Sequence, residues 1–134
     1  MKSRYIAIAA IVLAALVPVA APAYISKVVT INNQSNGCAW VTLYGSSGKL
    51  SPYKILNEPP YITPQFVRSG ESVTFKLFED YKISELKVRA EIKRNGNCTG
   101  DNKADIEDYR KDVEWTTHMT ARIWNTVNGY HITF

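Results

Sequence analysis

Histidine is almost missing from this chain: His118 and His131 are the only two among 134 residues. A metal site needs several converging ligands. Two histidines near the ends of one terminal hairpin, kept apart by extended strand, do not meet at one ion. Cysteine is as scarce, with Cys38 and Cys98 alone. No G-x-S-x-G elbow occurs, so neither a thiol nor a serine nucleophile finds its usual partners. Runs of one charge are absent too. No stretch of Lys and Arg exceeds the pair Lys93-Arg94, which gives no footprint for nucleic acid. Carboxylates such as Glu58, Glu71, Glu79, Asp80, Glu85 and Glu114 meet the two-carboxylate requirement of a glycosidase only as nearly any protein does. These absences point away from an enzyme and call for no cofactor and no metal.

What is present begins at the N-terminus, where Lys2 and Arg4 precede an apolar run from Tyr5 to Val19 and then Ala21-Pro22-Ala23. A membrane span needs about 20 apolar residues. This run is shorter, is broken at Pro18 and Pro22, and ends in an A-x-A site. It reads as a secretory signal peptide over 1–23, cleaved before Tyr24. The expectation is a single domain over 24–134, secreted or periplasmic. No cysteine stands at a lipid-attachment position, so no lipid anchor is expected. Lys2 and Arg4 contribute to the formal charge of +4, and the domain that remains is closer to neutral. In an oxidising compartment Cys38 and Cys98 are expected to pair. Closing so long a loop stabilises by about 4 kcal/mol in the chain-entropy account. Asn33-Gln34-Ser35 and Asn97-Cys98-Thr99 fit the glycosylation pattern, as short chance matches often do.

Alternation at period two dominates from residue 25 onward. Ile25 to Asn32 is the first strand candidate. The next starts at Cys38, with Ala39, Val41 and Leu43 on one face and Trp40, Thr42 and Tyr44 on the other. Beyond residue 23, proline is confined to the stretch from Pro52 to Pro64, which excludes a central strand there and predicts an edge or long loop. Ser72 to Phe78 is another strand, followed by a hairpin through Glu79 to Ser84. Glu85 to Arg94 alternates most cleanly: Leu86, Val88, Ala90 and Ile92 inward, Lys87, Arg89, Glu91 and Lys93 outward. Within 101–113, Ile106, Tyr109 and Val113 recur at helical spacing, so the segment fits a short helix or an irregular loop. A two-residue turn at Asn128-Gly129 would pair Val127 with Tyr130, Asn125 with Ile132 and Ile123 with Phe134. Together these features predict an all-β fold: a small antiparallel β-sandwich of six to eight short strands, with a short helix possible only near 101–113 and a single disulfide.

The acidic segment Asp101 to Asp108 raises the question of calcium. Lys103 and Ile106 stand where an EF-hand loop needs an oxygen ligand and a glycine, and the sequence leaves the matter open. Aromatic residues are more numerous than one inward face needs. Tyr53, Tyr61 and Phe66 lie in the proline-stiffened segment, and Trp115 follows the acidic one; these four are the candidate ligand-binding residues. Stiff loops bearing rings bind sugars or proteins at low entropic cost. The competing reading is that the rings fold back over the sandwich edge. The expected function is a secreted, non-enzymatic binding module for a glycan, cell-surface polymer or protein partner. The alternatives are a small extracellular inhibitor or effector acting by docking, or a lipid-binding β-sandwich; membrane contact is compatible with the ring count but not favoured.

Overall fold

A computed structural model describes residues 27–57, 63–77 and 83–134. The signal-peptide reading over 1–23, the candidate Tyr61 and most of the expected hairpin at 79–84 lie outside the described residues. Among those described, nine strands and no helix occur: β1 (Lys27–Asn33), β2 (Cys38–Ser46), β3 (Lys54–Ile55), β4 (Gln65–Val67), β5 (Ser72–Leu77), β6 (Glu85–Lys93), β7 (Asn102–Lys111), β8 (His118–Thr126) and β9 (Gly129–Thr133). They form a four-stranded sheet, ordered β5-β1-β8-β9, and a five-stranded sheet, ordered β3-β2-β6-β7 with β4 also on β2. All pairings are antiparallel except β1 with β8, which runs parallel.

The two sheets bury their facing sides against each other. β6 supplies Leu86, Val88, Ala90 and Ile92, and β2 supplies Ala39, Val41 and Leu43, all with no exposed surface. Opposite them stand Val29 and Ile31 of β1, Phe75 and Leu77 of β5, Met119, Ala121 and Ile123 of β8, and Ile132 of β9. At about 1.5–3 kcal/mol for each large apolar side chain taken from water, this layer is the main stabilising element. The disulfide Cys38–Cys98 spans 60 residues and joins the start of β2 to the β6–β7 loop, with Cα atoms 5.2 Å apart.

Three expectations change. Residues 101–113 hold the ten-residue strand β7, neither a helix nor an irregular loop. Its inward positions are Ala104, Ile106 and Asp108, opposite Ile92, Ala90 and Val88. A small and a charged residue among them hide the period of two. The terminal hairpin turns at Val127-Asn128, so Ile123 pairs with Ile132 and Asn125 with Tyr130. That register differs from the expected one by two residues, an even step that leaves every side chain on its face. It frees Val127, which is fully exposed at the turn, and Asn128 N–H donates to Thr126 Oγ1 at 3.1 Å. The strand count exceeds eight because Lys54–Ile55 and Gln65–Val67 pair along the edge of β2 as the very short β3 and β4.

Two buried polar groups fix the ends of the sandwich. Asn33, at the corner where the chain leaves one sheet for the other, donates its amide to the carbonyls of Gly37 (2.9 Å) and Val67 (2.8 Å). Its Oδ1 accepts from Ser35 N–H and Oγ. That engagement removes Asn33 from any sugar attachment. At the opposite end the Lys27 ammonium, 3% exposed, donates to the carbonyls of Val113 (2.5 Å), Glu114 (2.8 Å) and Thr116 (3.2 Å). Burial pushes its pKa below the usual lysine value, with Glu114 acting in the other direction. Lys27 thereby clamps the β7–β8 loop. Lys27→Met leaves those carbonyls without their donor and is expected to cost about 1–3 kcal/mol, read as a lowered midpoint in denaturant unfolding. An unchanged midpoint would mean that the loop holds without the clamp.

Candidate functional site

Alternation that sends Leu86, Val88, Ala90 and Ile92 into the core sends Lys87, Arg89 and Glu91 to the outer face of the five-stranded sheet. Register sets their neighbours. Tyr44, Lys87 and Tyr109 form one row, Thr42, Arg89 and Glu107 the next, and Trp40, Glu91 and Asp105 the third. Phe66 of β4 extends the third row beyond Trp40.

The first row carries the richest chemistry. The Lys87 ammonium lies 4.5 Å from the Tyr44 ring centre and 5.1 Å from that of Tyr53, within range of a cation–π attraction. It also stands 3.8 Å from Glu107. Tyr53 donates its hydroxyl to Glu85 Oε2 at 3.1 Å. Burial first, and that carboxylate second, raise the pKa of its phenol. Lys49, Tyr53, Glu85, Lys87, Glu107, Tyr109 and Lys111 line an open depression of about 540 Å³. A smaller one, about 380 Å³, adjoins it between the β2–β3 and β7–β8 loops.

The middle of the face is an ion-pair network. Arg89 grips Asp105 with two parallel donors, its Nε at 2.8 Å from Oδ1, and its Nη2 also lies 3.1 Å from Glu91. The Asp105 carboxylate, followed by the Tyr44 hydroxyl, pushes the Arg89 pKa further up. The same guanidinium holds Asp105 below the usual aspartate value. In the third row the Trp40 and Phe66 rings meet at 4.1 Å, tilted by 51°.

The four sequence candidates therefore separate. Tyr53 sits in the Lys87 cluster and Phe66 packs on Trp40 at the other end of the same face. Trp115, 71% exposed, lies on the β7–β8 loop and outside the Lys87 cluster. Tyr61 is outside the described residues. β3 and β4, beside Tyr53 and at Phe66, pair along β2, and Phe66 is left 44% exposed. Sequence reasoning missed Tyr109, whose place beside Lys87 becomes visible once 102–111 is read at period two. β7 spreads its acids as well: Asp105 and Glu107 point outward while Asp108 turns inward and accepts the Phe134 N–H. Among the described residues no three potential ligands gather round a metal position.

No family model matches the chain, and no curated protein matches it. Solved structures do, at low identity. An NMR structure of a protein from Eubacterium rectale matches at 12% identity and a TM-score of 0.51, covering 81% of this chain and 87% of that one. A disulfide-locked mutant of intermedilysin, solved with human CD59, matches at 12% identity and a TM-score of 0.52, covering 82% and 24%. Wild-type pneumolysin matches at 10% identity and a TM-score of 0.52, covering 82% and 23%. The chain spans about a quarter of the intermedilysin and pneumolysin chains. What is common to these proteins at such identity is the fold.

The Arg89–Asp105 pair gives a pH prediction. An aspartate held below its ordinary pKa stabilises the native state above that ordinary value, and the contribution is lost as pH falls through the depressed one. Both partners are substantially exposed, so the gain is under about 1 kcal/mol. Asp105→Asn is expected to melt slightly below the parent protein at neutral pH and together with it in strong acid. A gap that persists in acid would assign the loss to packing.

Proposed function

We propose that this chain is a secreted, non-enzymatic binding module whose outer five-stranded face takes a glycan or surface polymer. The carrying observation is the cluster in which Tyr44 and Tyr53 approach Lys87 beside the exposed ring of Tyr109. Ring faces offer flat apolar area at little entropic cost. The surrounding ammonium and carboxylate groups give donors and acceptors for hydroxyls. The depression is wide and open, a shape suited to holding a polymer laid across it. Secretion is supported by the apolar leader before Ala21-Pro22-Ala23 and by the disulfide, a bond that persists in oxidising compartments. Tyr109→Ala removes an exposed ring that is not part of the core. It is expected to weaken binding to immobilised cell-wall polysaccharide about tenfold with the melting temperature unmoved. Equal binding by variant and parent would remove the cluster from the site.

A second reading rests on the end of the sandwich. Leu50 is fully exposed on the β2–β3 loop and Trp115 largely so on the β7–β8 loop, and these two loops border the same cleft together with Lys49 and Lys111. Apolar tips beside lysines suit a lipid surface. On this reading the protein co-sediments with phosphatidylcholine–phosphatidylserine vesicles and Trp115→Ser abolishes it. Protein that stays in the supernatant would end it.

A further inference from the structure

We infer that the binding face is an extended strip that takes an uncharged polysaccharide over several sugar units, with the Trp40–Phe66 pair as its second platform. The inference rests on the glycan reading and adds its ligand class and length. Trp40 and Tyr44 both point outward from β2 and stand four residues apart, which at strand rise is about 13 Å. That is more than one sugar ring covers. Phe66 continues the Trp40 row on one side, while Lys87 and Tyr109 continue the Tyr44 row on the other. Rings therefore mark both ends of the strip.

Between the platforms lies the row of Thr42, Arg89 and Glu107, and Glu91 and Asp105 stand beside Trp40 in the third row. Arg89 is committed to Asp105 and Glu91, and Lys87 to Glu107. Such pairs leave a surface of alternating donors and acceptors with little net field. Hydroxyl groups fit that pattern, whereas over this centre a polyanion gains little from cations already paired; Lys49 and Lys111 stand at the loop end of the strip. A protein partner fits less well, because the centres of protein interfaces are depleted in Lys, Glu and Asp. The centre of this face is made of them. Pre-set side chains also lower the ordering cost of binding.

The test is calorimetric titration of the disulfide-bonded protein with cello-, xylo- and chito-oligosaccharides, each from disaccharide to hexasaccharide, with polygalacturonate as the anionic comparison. The expected result is a gain in affinity of at least about tenfold from disaccharide to hexasaccharide in one neutral series. Phe66→Ala is expected to weaken the hexasaccharide far more than the disaccharide, and Phe66→Tyr, which keeps a ring, to restore most of the loss. Equal affinities along the series, unaffected by Phe66→Ala, would overturn the strip and leave the Tyr53–Tyr109 site standing. Tighter binding of polygalacturonate than of any neutral sugar would overturn the uncharged assignment. Binding of none of these by the parent protein would overturn both readings, and saturable binding of a protein at this face instead would do the same.

Discussion

Each outward side chain of the five-stranded face is held in place by an inward neighbour one residue away along the strand. β6 is the clearest case. Its four apolar residues, Leu86, Val88, Ala90 and Ile92, are entirely withdrawn from water, and the pleat then leaves Lys87, Arg89 and Glu91 no direction but outward. A slip of one residue would bury two cations and a carboxylate, a cost of several kcal/mol per ion. The register of β6 is therefore fixed by the core. The rows of the outer face inherit that register through β2 and β7.

The same dependence explains why the face is both charged and ordered. Isolated surface ion pairs contribute little, but here Arg89 is held by Asp105 and approached by Glu91 and Tyr44, all carried on paired strands. Charges that would wander on a loop are confined to one geometry. The two ends of the sandwich are secured by different means. Asn33 ties the β1–β2 corner to β4 through fully satisfied hydrogen bonds, and Lys27 caps the carbonyls of the β7–β8 loop. Gly37 belongs to the same corner, because a Cβ there would come within 2.6 Å of the Ile92 side chain.

Much of this was legible in the sequence wherever one face of a strand is uniformly apolar. β2 and β6 read directly, down to which residues face the core, whereas the last hairpin read as a hairpin with its turn placed one residue late and Val127 paired where it is exposed. β7 did not, because an edge strand of a wet sheet needs only partial burial and carries Ala104 and Asp108 where larger apolar residues would mark the period. Helical spacing of Ile106, Tyr109 and Val113 was a coincidence of that composition. The parallel pairing of β1 with β8 joins residues 90 apart in the chain, and no local signal announces it. On the site, the rings of Tyr53 and Phe66 were visible as candidates. Their partners Lys87 and Tyr109 depend on pairings that no single segment carries.

The most direct measurement is an amide-resolved NMR titration of the protein with cello-, xylo- and chito-hexasaccharide. The account predicts shift changes concentrated at Trp40, Tyr44, Phe66, Lys87, Arg89 and Tyr109 for at least one of them. Changes confined to the loops of Leu50 and Trp115 or to the outer face of the four-stranded sheet, or none with any of the three sugars, would contradict it.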